Sequence, residues 1–334
     1  MARARKIKGI DCNGAAGDGI RLVLDGRFSE MSKFRDAALN WNDPEGVHSM
    51  RVASRRLRSA LRDFAPYLRK RELASTLRRI KQLADALGAV RDQDVAIEAL
   101  ERLRATAPHQ VSVVIGELVS IREGIRNKAR LDLKPIVVRE QLKQLNRVFL
   151  MAVDAATVPK ARRGQLAQTG PPYIDMARSI ILDRLKELEK LSNSLYRPLK
   201  VKPLHDMRIA AKRLRYAIEL FQECWGEGVA PFAAEAARLQ TALGDLHDCD
   251  VWIESFGQHI VEAKKRNDQN HNDEFSWLLS HFVQTRNNQF NEAFDIWREW
   301  EARGMSDMLR QFLSPPPPQQ ALEIPSEQST TNPS

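Results

Sequence analysis

The chain has 334 residues, enough for one large domain or two of medium size, with 43% hydrophobic and 28% charged residues. That balance excludes a fibrous or wholly disordered chain and supplies material for a buried core. Cys12, Cys224 and Cys249 are too few and too irregularly spaced for a secreted disulfide framework. The basic first eight residues are not followed by the apolar stretch of a signal peptide, and no run of about 18 apolar residues could span a membrane. The expected compartment is therefore the reducing cytoplasm, with no membrane partner.

The net charge is +9, and its location says more than its size. Residues 47–81 hold eleven Lys and Arg against two acids, Asp63 and Glu72, which accounts for the whole excess. Such a local patch is an electrostatic footprint for an anionic partner.

Ala, Leu, Arg, Glu and Gln dominate and glycine is sparse, which favours helix. In chain order the periodicity predicts helices near 17–41, 44–65, 70–87, 92–105, 109–131 and 138–155. Further helices are predicted near 172–196, 202–224, 229–243, 248–266 and 271–303. Asp43-Pro44 reads as a cap followed by proline at the first helical position. Pro66, Pro108, Pro135, Pro198, Pro203 and Pro231 fall near the proposed ends. The fold class read from this pattern is all-α. It divides into a basic segment 1–14, a first helical bundle 15–158, a linker 159–171, a second bundle 172–305 and a disordered Pro-rich, polar tail 306–334.

The division rests on an internal repeat. Residues 47–64 lie on 204–221 with nine of 18 positions identical at an offset of 157. A second block, 83–97 on 239–253, agrees at eight of 15 positions at an offset of 156. It aligns Gly88 with Gly244, Asp92 with Asp248 and Asp94 with Asp250. Two ordered blocks at almost one offset point to a duplicated helical unit.

A helix advances about 100° per residue. With His48 set at zero, Arg51, Arg55, Arg58 and Arg62 fall between about 280° and 340°, in one stripe with the histidine. Met50, Ala53, Leu57, Ala60, Leu61 and Phe64 lie on the far side. The second copy repeats the division, with His205, Arg208, Lys212 and Arg215 on its stripe. A solvated face, or ion pairs to Asp92 and Asp94, is the bland reading of such a ladder. Its recurrence in both copies favours a polyanion, because the planar guanidinium fork matches phosphate oxygens with two parallel hydrogen bonds.

His48 and His205 have no His, Cys or carboxylate at i+3 or i+4, so phosphate contact is preferred to a metal site. Gly88 and Gly244 read as helix ends, with Asp92 and Asp248 capping the next helix. A paired-carboxylate metal site from Asp92 and Asp94 is the sharper alternative. No phosphate-binding glycine loop or nucleophile elbow is recognisable. The expectation is a non-enzyme with no metal and no cofactor.

His-x-Met-Arg-(Val/Ile)-Ala-x-(Arg/Lys)-Arg-Leu-Arg occurs twice, each time followed by Leu-Gly-x-x-(Arg/His)-Asp-x-Asp-Val. This doubled pattern resembles the CHAD domain, the conserved histidine α-helical domain, over roughly residues 15–305. The resemblance implies two tandem four-helix-type bundles with pseudo-two-fold symmetry. It also implies binding of inorganic polyphosphate and association with polyphosphate granules. Carried over by position, the implied ligand set is His48, Arg51, Arg55, Arg56, Arg58, His205, Arg208, Lys212, Arg213 and Arg215. Arg62 extends the first ladder, whereas Glu219 stands at that position in the second, so unequal halves are expected. Many relatives also carry a triphosphate tunnel metalloenzyme domain. With about 15 residues before the first helix, that module is expected to be absent. Two alternatives stay open, a nucleic-acid-binding protein and a metal-dependent phosphohydrolase or phosphotransferase acting on polyphosphate. Against the first, Tyr216 is the one aromatic available to stack on a base.

Overall fold

The computed structural model describes residues 6–157, 170–266 and 270–315. Among them there is no β-strand, only an isolated antiparallel bridge between Ala15 and Pro172. The first half of the chain forms α1 (Ala16–Lys33), a short α2 (Arg35–Ala38), α3 (Glu45–Asp63), α4 (Lys70–Arg104), α5 (His109–Leu133) and α6 (Arg139–Thr157). The second half forms α7 (Tyr173–Leu191), α8 (Val201–Leu220), a short α9 (Gln222–Trp225), α10 (Ala230–Lys265), α11 (Asn272–Ala302) and α12 (Met305–Leu313). The protein is all-α, as its periodicity predicts.

Local signals set the ladder helix. The Asp43 carboxylate accepts the Glu45 N–H at 2.9 Å, which satisfies one of the free donors at the start of α3. At its other end a single turn of 3-10 helix, Ala65–Tyr67, carries Pro66 and returns the chain as α4, packed against α3. Met50, Ala53, Leu57 and Ala60 of α3, and Phe64 at its C-cap, are fully buried. Burying a large apolar side chain of this kind contributes about 1.5–3 kcal/mol, so the apolar side fixes which side is left to carry the arginines.

Gly88 and Gly244 do not end helices. The segments predicted as 70–87 and 92–105 are one 35-residue helix, α4, and those predicted as 229–243 and 248–266 are one 36-residue helix, α10. At 1.5 Å per residue each is over 50 Å long. A mid-helix glycine costs roughly 1 kcal/mol relative to alanine, and packing along both flanks outweighs it. Asp92 and Asp248 accordingly sit inside helices and cap nothing.

These two long helices pass through two cores. The main core draws on α1 to α8 and on α10, α11 and α12. The second gathers Leu100 and Leu103 of α4, Val111, Val114 and Ile115 of α5, Trp252 and Phe256 of α10, and Phe275, Leu278 and Phe282 of α11. Both cores draw on both halves, so the two halves pack against each other through shared apolar contacts. The Phe64 and Phe221 rings, at matched positions, meet edge to face at 5.8 Å. Gly19 of α1 lies so close to the Tyr173 ring of α7 that any side chain there would run into it.

One boundary differs from the sequence reading. Residues 306–313, assigned to the tail, belong to α12, whose Met305, Leu309 and Leu313 recur every fourth residue and are buried. Most of the expected tail, 316–334, and of the expected linker, 159–169, lie outside the described residues, as does residue 158. Cys12 and Cys224 are joined in a disulfide between Cα atoms 5.6 Å apart. It ties the N-terminal segment to α9, a pairing that the count of three cysteines did not reveal.

Candidate functional site

The ladder on α3 faces α4 and α8. Arg51 reaches across to α4, where its Nη2 donates to Asp92 Oδ1 at 2.8 Å. On the way it lies over Gly88, and a Cβ there would stand 4.0 Å from the Arg51 guanidinium. Arg208 of α8 passes over Gly244 of α10 in the same manner, with a Cβ position 3.9 Å from its Cδ, and feels the charge of Asp248. The glycines are seats for arginine stems. Their role in the motif is room, which a sequence reading as helix ends misses.

Arg55 crosses between the halves and donates to the Tyr216 hydroxyl of α8 at 3.0 Å. Lys212, its counterpart on α8, has no ion pair among the described residues. Burial, then the charges of Arg55, Arg208, Arg62 and Arg213, push its ammonium down to about 7. Arg58 is exposed, while Arg62 donates to Ser59 Oγ at 2.7 Å and stands 3.7 Å from buried Asp63. Between α3, α4 and α8 lies an open groove of about 500 Å³. Arg51, Arg55, Arg58 and Lys212 line it together with Asp85, Asp92 and Gly88. One groove thus takes bases from both halves.

Three members of the implied ligand set are turned elsewhere. Arg56 is buried and bonds Glu30 of α1 at 3.3 Å, and Glu30 is held in turn by Arg27 at 2.7 Å. At the same offset of 157, Arg213 pairs with Glu187 of α7, and Glu187 with Arg184 at 3.1 Å. Both arginines lie about 80° from the histidine stripe, which aims them at α1 and α7. Arg215 is also buried, bonded to Glu219 at 2.6 Å and set over the Tyr216 ring. These contacts hold helices together and place Arg56, Arg213 and Arg215 outside the groove lining.

The histidines flank the groove, and burial holds both below the usual histidine range. His48 is lowered further by Arg91, and His205 by His247. The two rings of the second pair approach to 3.3 Å between Nδ1 atoms, so one neutral tautomer donates to the other. Arg91 and His247 occupy matched positions, and the structure brings this position to the site in each half. The sequence did carry a signal, since the fourth residue of the Gly-x-x-(Arg/His) step is basic in both copies.

The Asp-x-Asp step serves two neighbours. Residues two apart on a helix point about 200° away from each other. Asp92 therefore meets the ladder, whereas Asp94 is buried 3.7 Å from Arg126 and 3.9 Å from Arg130 of α5. Asp250 likewise accepts from Arg286 of α11 at 2.6 Å. Asp92 and Asp94 do not converge on a common point, and no group of three or more His, Cys, Asp or Glu among the described residues could hold a metal ion. None of the described helices is long and apolar enough to cross a membrane.

Comparison with known proteins agrees with this architecture. An uncharacterized protein of Mycobacterium tuberculosis, Rv2226, is 28% identical over 229 residues, 68% of this chain. The chain spans 43% of that protein's length. The crystal structure of the CHAD domain from the plant Ricinus communis has the same fold, with a TM-score of 0.63 at 21% identity over 93% of this chain and 96% of that one. PptA from Streptomyces chartreusis is similar in fold at a TM-score of 0.58 and 13% identity, over 85% of this chain and all of that one. The CHAD domain family model matches residues 22–257, which hold both copies of the ladder and both Gly-x-x-(Arg/His)-Asp-x-Asp steps, and the chain belongs to that family.

Proposed function

We propose that this protein is a non-catalytic receptor for inorganic polyphosphate that works at polyphosphate granules. The observation that carries the reading is the shared groove, where Arg51, Arg55, Arg58 and Lys212 converge from two halves of the chain. Converging like charges are costly to hold together without an anion. Lys212 bears that cost most plainly, being depressed to about 7 by burial and by the charges of Arg55, Arg208, Arg62 and Arg213. A flexible chain with about one negative charge per phosphate suits a groove lined by several bases. Its binding is electrostatic and weakens with salt.

Neither alternative gains from the geometry. Tyr216, the one stacking candidate for a nucleic acid, is buried and its hydroxyl is occupied by Arg55. Asp92 is in an ion pair with Arg51, and Asp94 faces away from the groove. Titrating long-chain polyphosphate against the wild type and against a variant with Arg51, Arg55, Arg208 and Lys212 changed to Ala tests the reading. Loss of affinity in the variant is expected, and equal affinities reject this site. Equal displacement by RNA at matched charge would remove the specificity for polyphosphate. Phosphate release in the presence of Mg²⁺ or Mn²⁺ would contradict the non-catalytic part.

A further inference from the structure

The shared groove is not symmetric at its ends. On α3 the outer rungs are Arg58 and Arg62, and Arg58 is exposed with no ion pair among the described residues. Their counterparts on α8 are buried Arg215 and half-buried Glu219, which neutralise each other at 2.6 Å.

The partner helices differ in the same direction. Ala84, Asp85, Gly88, Ala89 and Asp92 define the face of α4 that lines the groove. With Gly88 at zero, Asp85 and Asp92 lie at about 60° and 40°, and Lys81 and Arg78 at about 20° and 80°. Lys81 and Arg78 therefore continue that face for two more turns toward the start of α4. Both are exposed, and among the described residues neither has an ion pair. On α10 the positions 156 residues later hold Ala237 and Ala234, with Thr241 in place of Asp85.

We propose that a polyphosphate chain leaves the shared groove on one side only, along the cleft between α3 and α4, over Arg58, Lys81 and Arg78. This rests on the polyphosphate reading above and adds to it a direction and two binding residues outside the repeated motif. From Asp92 to Arg78 the track is about 21 Å long. Short anions fill the groove and do not reach its far end. Long ones gain the extra rungs.

The test compares the wild type, a Lys81→Ala/Arg78→Ala variant and a Lys264→Ala/Lys265→Ala variant, which removes the same charge from the exposed end of α10. Each is titrated with tripolyphosphate and with long-chain polyphosphate over a range of salt. The Lys81/Arg78 variant should lose about tenfold for the long chain and less than twofold for tripolyphosphate. Its salt slope should fall by about 1.5, as for two lost phosphate contacts. The α10 variant should match the wild type. Unchanged long-chain affinity in the Lys81/Arg78 variant overturns the exit path, and so does an equal loss in the α10 variant. Wild type that binds neither anion overturns the underlying reading and the path with it.

Discussion

Phe64 closes α3 and Phe221 follows α8, and their rings meet edge to face at 5.8 Å across the two halves of the chain. Both are fully buried at matched positions. This contact fixes how the ladder helices lie against each other, and so brings Arg55 within reach of Tyr216 and Lys212 into the groove lined by Arg51.

Truncating either ring should therefore be severe. Phe64→Ala and Phe221→Ala should each cost about 3–5 kcal/mol in chemical denaturation. The double variant should cost less than the sum by about 1 kcal/mol, since the rings share one contact. Strict additivity would show that the two positions act separately.

Gly88 separates room from helix propensity. Gly88→Ala should raise stability by about 0.5–1 kcal/mol, because a Cβ 4.0 Å from the Arg51 guanidinium is ordinary contact and alanine favours the helix. Gly88→Leu should displace Arg51 and weaken polyphosphate binding severalfold while the protein stays folded. If the leucine variant binds as tightly as wild type, Arg51 does not need its seat over the glycine.

Asp92 holds Arg51 at 2.8 Å at the mouth of the groove and occupies the place that an oxyanion would take. Asp92→Asn should tighten polyphosphate binding up to about fivefold, the release of an exposed ion pair worth under about 1 kcal/mol. Thermal stability should change little. Weaker binding in the asparagine variant would show that Asp92 orients Arg51 for the ligand and does not compete with it.

Lys212 makes binding depend on pH. Its pKa is pushed down to about 7 in the free protein, so the ammonium charge is lost as pH rises through 7 and affinity should fall between pH 6 and 8.5. Lys212→Arg should flatten that profile in isothermal titrations. Stability runs the other way. The folded pKa lies below the ordinary lysine value of 10.5, so the charged form costs stability below about pH 7, and the cost is relieved as pH rises toward 10.5. Lys212→Met should therefore raise the melting temperature at pH 6, with a gain that shrinks by pH 10, while lowering affinity throughout. A melting temperature lowered at pH 6 would rule out that cost.

The all-helical class, the recurrence of the motif and the one-sided ladder were legible in the chain before any contact was known. Each is a property of spacing, and a period of 3.6 residues needs no knowledge of neighbours. It separated Arg51, Arg55, Arg58, Arg208 and Lys212 from the buried face correctly. Tertiary structure alone decided which bases share the groove. Arg56 and Arg213 carry the same charge as the rungs, yet Glu30 and Glu187 take them into helix contacts because they point about 80° off the stripe. Arg215 is withdrawn by Glu219, a pairing that depends on the rotamer as well as on the spacing. Gly88 and Gly244 look like breaks until the arginines that cross them are in place, since local propensity yields to packing when a helix is held on both flanks. The meeting of the two ladders in one groove rests on contacts such as Phe64 with Phe221, 157 residues apart, which no local pattern encodes.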